Sequence, residues 1–126
     1  MRTPATDRAV VEAGEFELFL YGTLLDPAVL RLRSGRRFPR GAARPAVLRG
    51  WRRVGLRGAP WPTLIRARHH LVPGLLLPLS GGPLRRLMAY EGAAYRLRPV
   101  RLHLARPATG LRRGFAWIAH PMLAGN

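Results

Sequence analysis

The sequence predicts an α+β fold, a small mixed β-barrel or strongly curved sheet with two short flanking helices. Three observations point there. Short β-prone runs recur from Phe16 to Ile118, and many carry internal glycines, as a tightly bent sheet requires. Only two stretches show helix signals, and both are brief. A chain of 126 residues, 48% of them hydrophobic, can build one continuous core but not two. The expected organisation is an N-terminal flexible segment over 1–15, a single domain over 16–119 and a C-terminal tail over 120–126.

The first strand is Phe16 to Tyr21, apolar and stopped by Gly22. Asp26-Pro27 then opens a helix, with Asp26 as N-cap and Pro27 at the first helical position. Val29, Leu30 and Leu32 give that helix an apolar face, and Gly35 ends it. Ala46 to Leu56 reads as strand interrupted by Gly50 and Gly55, followed by a turn at Gly58-Ala59-Pro60. Thr63 to Arg68 and Leu71 to Leu79 continue the strand pattern, with Pro73-Gly74 and Pro78 bending the second run or placing it at an edge. Ser80-Gly81-Gly82-Pro83 is a break before a second helix, whose Leu84, Leu87 and Met88 share one face. Tyr95 to Leu104 alternates, with Leu97, Leu102 and Leu104 on one side, Arg101 and His103 on the other, and Val100 out of step. Gly114 to Ile118 is the last strand, and His120 to Asn126 reads as a frayed tail.

Composition removes several chemistries. Without cysteine there is no disulfide, thiolate metal site or cysteine nucleophile. The first fifteen residues never reach the apolar run of a signal peptide or membrane anchor, so the expected setting is cytoplasmic, with no membrane partner. The formal charge of +16 invites a nucleic-acid reading. Yet all 22 basic residues are Arg, spread singly or in pairs with few aromatics between them, as a codon bias would leave them. Solvated surface is therefore favoured over a specific nucleic-acid groove. His69, His70, His103 and His120 lack partners at metal-ligand spacing, so no metal is expected. Gly81-Gly82 is not followed by the Lys-Ser or Lys-Thr of a phosphate loop, and no cofactor is expected either. Ser34 and Ser80 sit in glycine-containing loops without a nucleophile-elbow context, and the three tryptophans read as core or rim packing.

Two features remain. Five of the six acidic residues lie at or before Asp26, leaving Glu91 alone in the following hundred residues. Glu91 falls at the end of the second helix, before Gly92, where the macrodipole disfavours a carboxylate. It serves either as a functional acid/base or as a salt-bridge partner for one of the arginines. The other feature is Tyr21-Gly22-Thr23-Leu24, between a strand and a capped helix. Glycine there can turn successive N–H groups toward one point, a concavity suited to an anionic oxygen; the same pattern also serves as a plain tight turn.

Taken together, Leu18 to Leu25 (LFLYGTLL), Leu48-Arg49-Gly50-Trp51, Trp61-Pro62-Thr63-Leu64, Val72-Pro73-Gly74 and Leu87 to Tyr95 (LMAYEGAAY) resemble the γ-glutamylcyclotransferase-like family, which includes AIG2-like proteins and γ-glutamylamine cyclotransferases. The resemblance spans about Phe16 to Ile118. It implies a mixed barrel with flanking helices and a small-molecule γ-glutamyl substrate. It assigns the Gly22, Thr23 and Leu24 amides to the substrate α-carboxylate, pocket-shaping roles to Tyr21 and Tyr95, and acid/base catalysis to Glu91. The implied reaction is internal attack of the α-amine on the γ-carbonyl, giving 5-oxoproline and a released amine. The chain departs from the family pattern at Met88, where Asp is frequent, and at Leu76, where an aromatic is common. Two other readings stand beside it: a basic barrel that binds RNA or another anion without catalysis, and a cyclotransferase-like fold without activity. The released amine, the strand order and the oligomeric state are left open by the sequence.

Overall fold

A computed structural model describes residues 16–79, 81–105 and 110–125, so the N-terminal segment 1–15, Ser80 and Asn126 lie outside the described residues. Five strands, β1 (Phe16–Leu20), β2 (Arg44–Gly55), β3 (Pro62–Leu79), β4 (Tyr95–Leu104) and β5 (Gly110–Ala119), close into a barrel in the order β1-β3-β2-β4-β5. The β2–β3 and β4–β5 pairs are antiparallel hairpins, β1 runs antiparallel to β3, and the barrel is closed by a parallel contact of β1 with β5 at Leu18 and Phe115. Two helices, α1 (Pro27–Ser34) and α2 (Gly81–Glu91), pack on the outside. The expected α+β barrel with two short helices is the observed one. Among the described residues no helix is long and apolar enough to cross a membrane.

The core is double, and β1 divides it. Phe19 and Tyr21 join Leu48, Leu64, Val72, Leu76 and Leu102 in one cluster, within the barrel. Leu18 and Leu20, pointing the opposite way, join Leu24, Leu30, Leu84 and Leu87 beneath the helices. That alternation explains why β1 is apolar at consecutive positions: both of its faces are covered. Close approach fixes its neighbours as well. A Cβ at Gly74 would stand 2.3 Å from the Leu20 carbonyl oxygen and 2.7 Å from the Phe19 ring, so only glycine lets β3 pass β1 here.

Several expectations change. β3 is a single strand of 18 residues rather than two runs, and it is internal, pairing with β1 and β2. Its prolines fit because each has a partner strand on one flank only, Pro73 opposite Val47 of β2 and Pro78 opposite Glu17 of β1. A residue without an N–H can stand at such a position. Opposite Gly50, whose φ of 83° makes a bulge in β2, β3 carries Ala67 to His70 outside the ladder, with His69 at φ 69°. In β4 the alternation changes phase at the consecutive exposed residues Arg98 and Pro99. Tyr95 and Leu97 therefore face the helices, while Val100 sides with Leu102 and Leu104 in the barrel. Leu32 is 71% exposed rather than part of the α1 face, and Ser34 is the buried last residue of α1 rather than a loop residue. Gly81-Gly82-Pro83 is the first turn of α2, not a break before it.

The C-terminal residues are docked rather than frayed. Pro121–Leu123 form a 3₁₀ turn started by the His120 side chain, which accepts from the Met122 amide. The Arg57 amide donates to the Leu123 carbonyl, and the Gly125 amide to that of Gly55. These bonds use backbone groups at the exposed end of β2, which side-chain patterning does not reveal.

Two glycines test this packing. Gly74→Ala is expected to destabilise by at least about 2 kcal/mol, because backbone and an aromatic ring must both move. Gly82→Ala, in α2 with open space around it, is expected to stabilise by about 0.5–1 kcal/mol. Urea unfolding of the two variants checks both, and equal effects would contradict the assigned close approach.

Candidate active site

One end of the barrel opens into a cavity of about 270 Å³, lined by 14 residues from five places in the chain. The run Phe19 to Leu24 supplies one wall, Trp61 and Pro62 another, and Tyr90, Glu91, Ala94 and Tyr95 a third, with Leu56 and Trp117 completing it. All six residues singled out in the sequence, Tyr21, Gly22, Thr23, Leu24, Glu91 and Tyr95, stand on this cavity. Sequence reasoning about single residues passed over Leu56, Trp61, Pro62, Tyr90 and Trp117 as lining. Only Tyr90, next to Glu91, carried a local signal.

Local chemistry explains how the wall is built. After β1 the chain turns at Gly22 into a single 3₁₀ turn, Thr23–Leu25, closed by the Leu25 amide on the Gly22 carbonyl and the Asp26 amide on that of Thr23. A Cβ at Gly22 would come within 2.9 Å of the Pro62 ring, so the two walls touch through glycine. Asp26 then caps α1, its Oδ1 accepting from the Ala28 amide at 2.9 Å. Among the described residues, no carbonyl takes the amides of Gly22, Thr23 or Leu24.

Glu91 closes α2, and Gly92 follows it in the left-handed conformation, φ 79°, with its amide bonded to the Met88 carbonyl. That turn brings the chain round to Tyr95. Glu91 is half-buried among aromatic and aliphatic groups, and burial raises its pKa to about 7. The salt-bridge reading finds no support: among the described residues the ion pairs belong to Glu17, with Arg44 at 3.2 Å and Arg112 at 3.0 Å, and Glu91 has none. None of the lining residues is an arginine, although the protein has 22.

The two flanking phenols are held as neutral acceptors. Tyr21 donates its hydroxyl proton to the Trp117 carbonyl, and Tyr95 donates to the Pro62 carbonyl at 2.7 Å. Each oxygen keeps lone pairs for another donor. Burial first, and then the charge of Glu91, raise both pKa values, that of Tyr95 to about 12, so neither ionises near neutrality. The Arg53 guanidinium donates to the Tyr21 carbonyl at 2.6 Å and fixes the start of the loop. Thr23 and Tyr90 share a hydrogen bond at 3.1 Å across the mouth, and Arg33 lies over the Tyr90 ring at 4.7 Å. Among the described residues no three His, Asp or Glu side chains stand close enough together to hold a metal ion. The arrangement suits proton transfer beside a site for an anionic group.

The chain matches the profile of the family described as "Gamma-glutamyl cyclotransferase, AIG2-like" over residues 18–123. Solved structures agree on the fold. A solution structure from Arabidopsis thaliana superposes with a TM-score of 0.70 at 24% identity, covering 89% of this chain and 76% of the other. A structure titled gamma-glutamyl cyclotransferase gives 0.70 at 16% identity, over 84% and 67%. An AIG2-like protein from Mus musculus gives 0.63 at 19%, over 86% and 82%. No curated protein sequence matches the chain.

The raised pKa of Glu91 has a consequence for stability. Its carboxyl binds a proton more tightly in the folded chain, at about 7, than in the unfolded one, near 4.5. Its contribution to stability is thus complete below about pH 4.5 and is lost as pH rises through 7. Glu91→Gln, which cannot ionise, is expected to melt a few °C higher than the wild type at pH 8, with the gap closing by pH 4.5. Calorimetry at the two pH values checks this, whereas a structural ion pair would make the variant less stable at pH 8.

Proposed function

The chain belongs to the gamma-glutamyl cyclotransferase, AIG2-like family, and on that premise we propose that it cyclises a γ-glutamyl compound to 5-oxoproline with release of an amine, using Glu91 as general base and then general acid. The observation that carries this reading is the pairing, in one small cavity, of a carboxylate of raised pKa with a loop of amides, both without partners among the described residues.

A γ-glutamyl compound contains both reactants, so the chain need supply no nucleophile. Its α-carboxylate accepts from the amides of Gly22, Thr23 and Leu24, where no lining cation is available to hold it. The α-ammonium then faces Glu91, with the Tyr21 and Tyr95 oxygens as further acceptors. Glu91 takes one proton from the ammonium, and the freed amine attacks the γ-carbonyl carbon to form the ring C–N bond and a tetrahedral oxyanion. The oxyanion collapses and the γ-amide C–N bond breaks, while protonated Glu91 returns its proton to the departing nitrogen. The ring nitrogen then gives up its second proton by way of Glu91 to the released amine, so the products are 5-oxoproline and an ammonium, and Glu91 is regenerated as carboxylate.

The raised pKa is what fits Glu91 for both halves. An α-ammonium is a weaker acid than the Glu91 carboxyl, and raising that carboxyl from 4.5 to about 7 shortens the uphill proton transfer by about 2.5 pH units relative to an ordinary glutamate. The cavity supplies the rest by holding the substrate bent, with amine and carbonyl in contact, and by excluding water. Met88 and Leu76, the departures from the family pattern, are packing residues: Leu76 is buried in the barrel and Met88 packs under the helices. Neither lines the cavity.

A screen of γ-glutamyl amines and peptides for 5-oxoproline release tests the proposal. With a turned-over substrate, Glu91→Gln is expected to lower kcat by about 10²–10⁴-fold while leaving substrate binding largely intact, because the loop amides are untouched. The wild-type kcat/KM is expected to fall about tenfold per pH unit below pH 7, following the Glu91 carboxylate. A Glu91→Gln enzyme working near the wild-type rate, or a chain inert toward every γ-glutamyl compound, would overturn the assignment.

A further inference from the structure

A second and larger cavity, of about 590 Å³, lies away from the first and shares no residue with it. It forms because β2 and β4 pair only at Ala46 with Leu104 and Val47 with His103, and beyond Val47 no further pair joins them. Its lining is Arg49, Trp51 and Arg66 on the β2–β3 side and Pro99, Val100, Arg101, Arg113 and Phe115 on the β4–β5 side. Four of these eight residues are arginines and none is acidic.

Three features make this more than a share of a basic surface. Arg101 and Arg113 are direct cross-strand partners in the antiparallel β4–β5 ladder, a placement where like charges repel and destabilise the sheet. Arg66 lies over the Trp51 ring at 4.4 Å, and Trp51 is itself buried, so that guanidinium is held on a rigid platform. None of the four arginines has a carboxylate partner among the described residues; the ion pairs found there go to Arg44 and Arg112. Four exposed arginines around one cleft, one of them held over the Trp51 ring and none paired with a carboxylate among the described residues, match a ligand with several anionic oxygens. The volume falls in the range of small-molecule sites, and the Trp51 face that could stack a base is already covered by Arg66.

We propose that the cleft between β2 and β4 is a binding site for a small polyphosphate or phosphate ester, held by Arg49, Arg66, Arg101 and Arg113. The ligand neutralises the Arg101–Arg113 pair and bridges the two hairpins at the place where the barrel ladder is open. This site is independent of the cyclisation reading, and its test does not use activity.

Inorganic triphosphate is the probe, measured by calorimetric titration of the whole chain at constant ionic strength. Saturation at one equivalent is expected, with a rise in Tm. The double variant Arg101→Gln/Arg113→Gln is expected to weaken binding at least tenfold and, without triphosphate, to melt no lower than the wild type because the repulsion is gone. Arg49→Gln is expected to weaken binding in the same direction, giving a second readout on a different hairpin. Arg37→Gln/Arg40→Gln removes the same charge from exposed positions between α1 and β2, outside the cleft, and is expected to change affinity less than twofold. Equal losses in the two double variants, absence of saturation or no binding would overturn the site. A single-stranded oligonucleotide that bound more tightly than triphosphate, and lost affinity equally in both double variants, would replace it with general polyanion attraction.

Discussion

From Leu18 to Leu20, β1 has no face left for water, and the rest of the molecule is arranged around that fact. Leu18 and Leu20 are covered by the helices, and Phe19 and Tyr21 by the barrel. Both cores lean on the same five-residue strand, which therefore has little freedom to shift along its axis: a slip of one residue would exchange the two faces. Gly74 tightens this constraint by letting β3 close against the Leu20 carbonyl and the Phe19 ring. The chain leaves β1 at a fixed point, and the Tyr21–Leu24 loop inherits its position. The bonds of Tyr21 to the Trp117 carbonyl and of Arg53 to the Tyr21 carbonyl tie that exit to β5 and β2.

The same packing sets the electrostatics of the cavity. Aromatic and aliphatic groups that close the end of the barrel also surround Glu91, and the cost of keeping its charge there appears as a pKa near 7. A protein with 22 arginines would relieve that cost by turning one of them inward. Instead the lining has none, the nearest arginine contacts go to the Tyr21 carbonyl and the Tyr90 ring, and Glu91 stays unpaired among the described residues. The buried carboxylate thereby costs stability, a pattern common at sites that handle protons.

How far the sequence revealed this depended on the kind of signal. Local signals were legible. Asp26 caps α1, and Gly35 and Gly92 take left-handed conformations after the helices, because each requirement is set by a few adjacent residues. The isolation of Glu91 was visible as an imbalance in where the acids fall, and the resemblance joined it to Tyr21–Leu24 across about seventy residues. Long-range packing was not legible. β3 reads as two runs because proline normally ends a strand, and only the one-sided pairing of Pro73 and Pro78 makes 18 continuous residues possible. The phase change at Arg98 and Pro99 lets β4 serve the helix side with Tyr95 and Leu97 and the barrel with Val100, a division that a simple alternation hides. Trp61 and Trp117 read alike in sequence. One stands half-exposed at the cavity and the other is buried behind it, because the difference lies in which strand ends meet there. The docked C-terminal residues depend on backbone bonds, which carry no residue-type signature.

The central claim is that Glu91, unpaired among the described residues, is a carboxyl whose burial, in a cavity shared with the Gly22–Leu24 amides, holds it protonated to near neutrality. The most direct measurement is a titration of the side-chain carboxyl carbon of Glu91 by carbon-13 NMR, assigned by comparison with Glu91→Gln. The structure predicts a midpoint near pH 7. A midpoint at or below 4.5 would contradict it, because it would mean that the carboxylate is either solvated or paired with one of the arginines.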